Sequence, residues 1–217
     1  MADRLALIDW PLTPYTGWGG YGIQLAQALL EQRKYWPRLL AKNDRSSLCD
    51  LHWLDALQHL ENQSATLAHQ LAAAEGAGSL PVSTDAAIGF SPLGNFAPPP
   101  RFKAAKHVGV TFFECSRFSE KDLETLSQFD LVISGSRWNR ALLKQQGINR
   151  SYLVHQGVDT SVFNSEPVPQ LLKRSLIIFS GGKLENRKGQ DIVIAAFRRL
   201  LRHYPDALLI AAWGNVG

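Results

Sequence analysis

Glycine residues cluster at the start of the first predicted helix, where a backbone can approach a phosphate group closely. The segment Gly17-Trp18-Gly19-Gly20-Tyr21-Gly22 has the spacing G-x-G-x-x-G at Gly17, Gly19 and Gly22. A helix N-terminus offers free N–H groups and the positive end of the helix dipole to an anion. A dinucleotide fingerprint follows its strand in a tight turn, whereas residues 11–16, with two prolines, intervene here. A nicotinamide or flavin site and a turn that only packs helix against sheet are therefore alternatives to a phosphate site.

Basic side chains follow another predicted strand and precede another predicted helix. The segment spans residues 180–189, and within it Lys183 and Lys188 lie five positions apart. Ligands of open α/β sheets bind at the carboxyl ends of the strands, where this loop is predicted to lie. Two lysines near a helix N-terminus oppose the helix dipole unless an anion lies between them. The spacing predicts a phosphate-binding loop, with a solvated loop carrying ordinary surface lysines as the alternative.

Strand-length apolar runs alternate with helical patterns, which indicates an α/β domain with a mostly parallel sheet. The predicted strands are residues 5–8, 38–41, 86–90, 108–113, 130–133 and 151–154. The first predicted helix spans residues 21–33, and the second is a long helix capped at Ser47 and Asp50 that runs to about residue 75. A short third helix is capped at Ser119 and Asp122. The fourth begins at Ser136 and runs to residue 146.

A Glu-Pro-Val-Pro segment at residues 166–169 interrupts this alternation, and a single strand–helix–strand unit follows it. One such unit cannot bury both faces of a sheet. We therefore predict a Rossmann-like domain over residues 1–165, a linker over 166–174 and the opening of a second domain over 175–217.

The composition is that of a globular chain, because 45% of the 217 residues are hydrophobic and 19% are charged. No apolar run reaches the roughly 18 residues that a membrane-spanning helix needs. The first ten residues lack the pattern of a signal peptide. Cys49 and Cys115 are far apart and form no metal-binding pattern. These features predict a reduced, cytoplasmic protein.

Positive charge is concentrated toward the C-terminus. The formal net charge is +4, and residues 170–217 contain eight basic but only three acidic residues. This excess predicts an anionic partner for the C-terminal part of the chain. A nucleic acid is not the predicted partner, because the basic residues lack the interleaved aromatic residues of a single-strand groove and no recognition module is present.

Four motifs occur in order along the chain. They are the glycine loop, Phe129-Asp130-Leu131-Val132-Ile133-Ser134 with Ser136-Arg137-Trp138-Asn139, Gln156-Gly157-Val158-Asp159-Thr160-Ser161-Val162-Phe163, and Gly182-Lys183-Leu184 with Lys188-Gly189. In this order and at these separations they resemble the retaining glycosyltransferases of the GT-B fold, of the group-1 or family-4 type. The resemblance covers essentially all 217 residues but only the front half of such an enzyme.

The resemblance implies two Rossmann-like domains facing across a cleft, with the acceptor mainly on the N-terminal domain and the nucleotide-sugar donor mainly on the C-terminal one. Lys183 stands where these enzymes usually have an Arg and Lys188 where they have a Lys, so both would hold the donor diphosphate. Gly17, Gly19 and Gly20 would face the donor phosphates from the other domain. Since basic side chains would neutralise the leaving diphosphate, the resemblance implies no metal ion and no cofactor.

The sequence departs from the family pattern in two places. Glu114 ends a predicted strand where many relatives carry an acceptor-side His, which makes it the candidate acceptor-side catalytic group. The family also carries a Glu-x7-Glu pair late in the second domain, and no two Glu residues have that spacing here. We therefore expect the chain to be the front part of a longer transferase, to need the missing part of the C-terminal domain as its partner, and to be inactive alone.

The leading hypothesis is transfer of a sugar from a nucleotide sugar to a hydroxyl of a glycan, a lipid or another acceptor, with peripheral membrane contact among the expected associations. A Rossmann-like module that binds a glycan or a partner without turnover is the alternative. A nicotinamide-dependent enzyme is the third hypothesis. It requires a tight turn between strand and helix, whereas here residues 11–16 separate the two.

Overall fold

The computed structural model describes residues 4–14, 16–43, 51–94, 99–158, 160, 164–166 and 172–215. The chain divides into two compact units, Met1–Gly157 and Val158–Gly217. Some predicted features lie outside the described residues: the helix cap at Ser47 and Asp50, Cys49, most of the linker, and positions 159 and 161–163 of the third motif.

The first unit contains eight strands and four helices among its described residues. The strands are β1 (Leu5–Ile8), β2 (Trp36–Leu39), β3 (Val82–Ser83), β4 (Ile88–Leu93), β5 (Phe102–Lys103), β6 (His107–Thr111), β7 (Leu131–Ser134) and β8 (Ser151–Leu153). The helices are α1 (Gly17–Gln32), α2 (Leu51–Gly76), α3 (Glu120–Ser127) and α4 (Arg137–Gln145).

Six of these strands form one parallel sheet in the order β2-β1-β4-β6-β7-β8. The chain runs outward from β1 to β2 and then returns past β1 to β4, so the strand order reverses between β1 and β4. Open α/β sheets bind ligands at such a switch point, beyond the carboxyl ends of the strands. The predicted α/β, Rossmann-like fold is confirmed.

Neighbouring residues of β1 pack on opposite faces of the sheet, as the two-residue period of a strand requires. Ala6 and Ile8 join a cluster that includes Ile23 of α1, whereas Leu7 packs with Leu71 of α2 on the other side. Because helices cover both faces, the strand is apolar at every position and reads as a continuous hydrophobic run.

The second unit contains one strand–helix–strand unit among the residues that are described. Its elements are β9 (Ile177–Gly182), α5 (Gln190–Leu200) and β10 (Leu208–Trp213), with a short 3₁₀ turn at Asn186–Lys188. The strands pair in parallel, from Ile177 with Leu208 to Gly182 with Trp213. Within the described chain β9 pairs with β10 alone, so the pattern that restarts after the linker belongs to a separate sheet.

Local capping signals predict the starts of α3 and α4, whereas α1 begins at Gly17, with Thr16 as its N-cap, and not at the predicted position 21. Ser119 and Asp122 form the reciprocal capping box of α3, and the Ser136 hydroxyl accepts from the Asn139 N–H at the start of α4. Both pairs are only three residues apart, so the helix start depends on local sequence alone.

Strand ends are predicted less well. The apolar run at 108–113 continues beyond β6, which ends at Thr111, because Phe112 is a loop residue that packs on Trp18 with ring centroids 5.1 Å apart. The second strand starts at Trp36 rather than at position 38, since its pairing with Leu5 sets the register. The two-residue strands β3 and β5 were not predicted, because two residues carry no detectable period.

His107 makes the stability of the first unit depend on pH. Its Nε2 accepts from the Ala104 N–H at 3.1 Å, and its Nδ1 is buried without a partner among the described residues. Burial lowers the pKa of His107 below its usual value, and the Asp130 carboxylate opposes this only in part. The unfolded state therefore binds more protons as the pH falls below about 6.5, and stability is lost in that range.

His107→Gln should therefore flatten the loss of stability between pH 7 and pH 5, measured as the urea midpoint at each pH. The reason is that the variant has no buried imidazole to charge. His155→Gln, at an exposed histidine, controls for removal of one titratable ring. An acid dependence as steep in His107→Gln as in the wild type would show that His107 is not its source.

Candidate functional site

The basic loop of the second unit joins the carboxyl end of β9 to the start of α5. Gly182 ends the strand with φ 135°, and Gly189 precedes the helix with φ 65°. Both angles lie in a region that side chains rarely adopt, so glycine is needed at each end. Lys183 and Lys188 lie between these glycines, and both are exposed. The predicted strand–loop–helix setting of the two lysines is therefore present.

Two amide side chains from outside the loop hold its backbone. Gln190 Nε2 donates to the Lys183 carbonyl at 2.6 Å. Asn215, which follows β10, accepts from the Leu184 N–H at 3.1 Å through its Oδ1. The loop is thus tied to both the helix and the second strand of its unit. Sequence reasoning did not identify either amide, although each is a polar residue directly beside a predicted helix or strand.

The charges of this loop are only partly compensated. Arg187 Nε lies 2.8 Å from Glu185 Oε2, so these two side chains form an ion pair within the loop. Neither Lys183 nor Lys188 forms an ion pair with a carboxylate of the described residues. Asp191 already places an acidic side chain in the first turn of α5. The anion-binding capacity of the loop therefore rests on the two lysines rather than on the helix end.

The glycines of the glycine loop in the first unit differ in whether there is room for a side chain. A Cβ added at Gly19 would collide with the backbone of Thr13, whose nitrogen would be 2.5 Å away. A Cβ at Gly22 would lie 2.6 Å from Trp10 Nε1. At Gly17 and Gly20 an added Cβ would meet no atom of the described residues within 4 Å, apart from the adjacent backbone of the helix itself. Close packing thus accounts for Gly19 and Gly22, while Gly17 and Gly20 leave space at the start of α1.

Gly19→Ala should destabilise the first unit by about 1–3 kcal/mol, the usual cost of forcing extra volume into a packed site. Gly20→Ala is the matched control in the same turn. Its methyl group meets no atom of the described residues beyond the helix's own backbone, and alanine favours a helix by about 1 kcal/mol over glycine. Thermal denaturation measures both. Equal losses in the two variants would contradict the packing explanation.

The start of α1 presents backbone donors. Thr16 is its N-cap, and the Thr16 hydroxyl accepts from the Gly19 N–H at 3.0 Å. The helix has no acidic residue in its first turn. Together with the space beside Gly17 and Gly20, this gives the helix N-terminus the setting of an anion site, and the anion itself stays a prediction.

Glu114 lies in the loop after β6, three residues beyond the end of the strand, and is exposed. The preceding residue is fixed, because the buried Asn139 donates from Nδ2 to the Phe113 carbonyl at 2.8 Å. Asn139 is in turn held by the Ser136 hydroxyl at the start of α4. The carboxylate of Glu114 is therefore carried by an anchored loop at the carboxyl edge of the sheet.

A buried ion pair at the same edge was missed by sequence reasoning. Asp9 directly follows β1, and both of its carboxylate oxygens accept from Arg101, at 2.5 Å and 3.3 Å. Arg101 also donates to Glu75 at 3.0 Å. Burial raises the pKa of Asp9, against the opposing effect of Arg101. The available signal was a charged residue placed immediately after a buried strand.

No protein-family model and no curated protein matches this chain. The described residues contain no group of three or more His, Cys, Asp and Glu side chains that could hold a metal ion. In the same part of the chain, no helix is both long enough and apolar enough to cross a membrane.

Proposed function

We propose that this chain belongs to a nucleotide-sugar-dependent retaining glycosyltransferase that transfers a sugar to an acceptor hydroxyl. The observation that carries the proposal is the loop between β9 and α5, where Lys183 and Lys188 have no carboxylate partner among the described residues. The ordered motifs of the sequence support the same conclusion. A donor diphosphate has the negative charge to bind two such lysines.

The chemistry of the proposed reaction needs positive charge at the leaving group. The bond between the anomeric carbon and the diphosphate oxygen breaks, and negative charge grows on that oxygen. Lys183 and Lys188 stabilise this charge without a proton transfer, in a loop that Gln190 and Asn215 already hold in place. Catalysis then comes mainly from orientation and from charge stabilisation.

On the acceptor side, Glu114 is the residue that we propose to contact the attacking hydroxyl. Glu114 belongs to a loop after β6, at the carboxyl edge of the sheet, in which Asn139 anchors the carbonyl of the preceding residue, Phe113. A carboxylate can accept a hydrogen bond from a hydroxyl and so orient its oxygen for attack. Attack from the face that the diphosphate leaves preserves the anomeric configuration.

Activity of the complete gene product, mixed with a panel of nucleotide sugars and hydroxyl acceptors, tests the proposal. The expected product carries the sugar with the anomeric configuration of the donor, as read by NMR. Inversion of configuration would exclude the retaining mechanism. Donor and acceptor binding without any product would instead favour the alternative, a Rossmann-like module that binds glycans without turnover.

A further inference from the structure

The connection between β5 and β6, residues 104–106, is attached to the rest of the first unit by two backbone donors. The Ala104 N–H donates to Nε2 of His107 at 3.1 Å, and the Ala105 N–H donates to the Ala86 carbonyl at 2.9 Å. His107 is the first residue of β6, so its side chain holds the chain that leads into its own strand. The imidazole is therefore a structural acceptor for this β5–β6 connection.

A histidine in this arrangement can hold the connection only while Nε2 carries no proton. The neutral ring with its proton on Nδ1 leaves Nε2 free to accept, whereas both nitrogens of the charged ring are donors. Protonation would therefore set a new Nε2–H against the Ala104 N–H. Nδ1 offers no alternative acceptor, because it is buried and has no hydrogen-bond partner among the described residues. The hydrogen bond to Ala104 and the charged ring exclude each other.

Two aromatic rings surround the imidazole. Phe102 is stacked on His107, with ring centroids 5.4 Å apart and an interplanar angle of 29°, and Phe129 meets it edge-on at 6.4 Å. Both phenylalanines are almost completely buried. A stacked ring can attract a cation through its face, but it supplies no hydrogen-bond acceptor. A charged imidazole would therefore leave its N–H groups without partners here and would gain by reaching water.

The charged groups around His107 act in opposite directions. β4 and β7, the strands on either side of β6, contain no charged residue. Asp130, just before β7, accepts from the His107 backbone N–H at 2.8 Å and from Lys106 Nζ at 2.9 Å. Lys103 of β5 is exposed. The Asp130 carboxylate favours a charged ring, but burial outweighs it, and the pKa of His107 lies below its ordinary value.

The segment before the connection has few attachments of its own. β5 pairs with β3 through two residues on each strand. The Val82 N–H donates to the Arg101 carbonyl at 3.0 Å, and the Thr84 N–H donates to the Lys103 carbonyl at 3.2 Å. Two isolated strands are at best marginally stable in water. The β3–β5 pair therefore depends on the burial of Phe102 and on the connection that the imidazole holds.

From these contacts we propose that His107 is a pH-dependent switch: its neutral ring closes the β5–β6 connection, and its protonation opens the connection together with the β3–β5 pair. In the open state the ring reaches water and takes up a proton more readily than in the closed state. Each unit of pH below about 6.5 should therefore favour the open state by up to about tenfold. The six-stranded sheet persists in the open state, because neither β3 nor β5 belongs to it.

The opening also reaches the buried ion pair of the first unit. Arg101 directly precedes β5, and its side chain donates to Asp9 and Glu75. Movement of β5 loosens these contacts and leaves the Asp9 carboxylate short of its counter-ion. This cost, together with the burial of Phe102, keeps the open state a minor population at neutral pH. Acid then acts as the signal that raises this population without unfolding the sheet.

Hydrogen exchange of the whole chain, followed by NMR from pH 7 to pH 5, tests the inference. The reporters are the backbone amides of the contacts above: Val82, Thr84, Ala104 and Ala105. The Val132 amide, on β7, is the reference for unfolding of the sheet. The reporters should exchange through an opening that depends little on low concentrations of urea, whereas exchange at Val132 should depend strongly on urea.

The protection of the reporters, corrected for the intrinsic exchange rate at each pH, should fall by up to about tenfold per pH unit below about 6.5. If the reporters and Val132 have the same urea dependence, the connection opens only when the sheet unfolds and the inference is wrong. Constant protection of the reporters from pH 7 to pH 5 would also overturn it.

The tautomer of His107 gives a second readout that needs no variant. Long-range proton–nitrogen spectra of the wild type at neutral pH should show Nδ1 protonated and Nε2 unprotonated. A proton on Nε2 would remove the acceptor on which the switch depends and would overturn the inference. This measurement does not depend on how a substitution affects folding.

His107→Gln removes the titration but keeps an acceptor, because the amide oxygen of glutamine can accept from the Ala104 N–H at every pH. The reporters should then keep the same protection from pH 7 to pH 5. His155→Gln, at an exposed histidine, is the matched control and should lose protection as the wild type does. A fall as steep in His107→Gln as in His155→Gln would assign the opening to another group. No donor is present in these measurements, so their outcomes are independent of the proposed transferase function.

Discussion

Arg101→Met should destabilise the first unit by about 3 kcal/mol at neutral pH, near the lower end of the range for breaking a buried ion pair. The variant leaves the Asp9 carboxylate buried without its counter-ion, which is the costly outcome. The lower end applies because the Arg101 side chain is 27% exposed and water can partly replace it. Urea unfolding of the variant beside the wild type gives the difference.

The pH dependence of this loss has a defined sign. Burial already raises the pKa of Asp9 in the folded protein, and removing Arg101 removes the groups that oppose the rise. The folded state then binds the Asp9 proton more tightly than the unfolded state does. As the pH falls through the raised pKa, Asp9 becomes neutral and the cost disappears. The destabilisation should therefore be full at neutral pH and shrink in acid.

Two further variants separate the buried charge from the lost packing of the arginine stem. Asp9→Asn in the Arg101→Met background removes the unpaired charge at nearly constant shape, so it should recover most of the lost stability at neutral pH. Lys106→Met breaks the ion pair with Asp130 at the surface, where the lysine is 66% exposed, and should cost less than about 1 kcal/mol. A loss as large in Lys106→Met would contradict the role of burial.

The part of the fold that the sequence predicted is the part set by local patterns. Residues 5–8 and 131–133 are strands whose apolar character follows from burial on both faces of a parallel sheet. The caps at Ser119 and Ser136 are pairs three residues apart. The lysines of the basic loop were identified in the same way, because the strand before them and the helix after them are both local.

What the sequence did not reveal is long-range contact. Asp9 and Arg101 are 92 residues apart, and only the sheet and its connections bring them together. Asn215 lies 31 residues from the Leu184 backbone that it holds. Within the glycine loop, Gly19 packs against Thr13, whereas Gly17 and Gly20 have room beside them. The spacing of the glycines alone does not show this difference.

The second large effect concerns donor binding. Lys183→Ala and Lys188→Ala should each weaken binding of uridine or guanosine diphosphate, whichever the complete gene product binds, by about tenfold. That figure is the low end of the value of a charge-assisted contact, because both lysines are exposed and water screens them. The double variant should lose about a hundredfold if the two contacts act independently. Isothermal titration measures all three variants.

Lys173→Ala is the matched control for these variants. Lys173 is an exposed lysine of the same unit, but it precedes β9, whereas the basic loop follows that strand. The control removes the same charge from the other end of the strand and should change affinity less than twofold, within the long-range effect of one screened charge. If Lys173→Ala and Lys188→Ala lose equal diphosphate affinity, the effect comes from the net charge of the unit and not from direct contacts in the basic loop.

Lys183→Arg distinguishes a bound diphosphate from a diffuse positive field. Both side chains carry one positive charge, but arginine adds a planar fork that can bind two phosphate oxygens at once. If Lys183 contacts the diphosphate directly, the arginine variant should keep or increase the affinity, and the dependence of binding on salt should remain as steep as in the wild type. The double alanine variant should instead lose most of that salt dependence, because the charges that salt screens are gone. If the double alanine variant keeps the wild-type affinity and salt dependence, Lys183 and Lys188 do not bind the diphosphate. The transferase proposal then loses its main support.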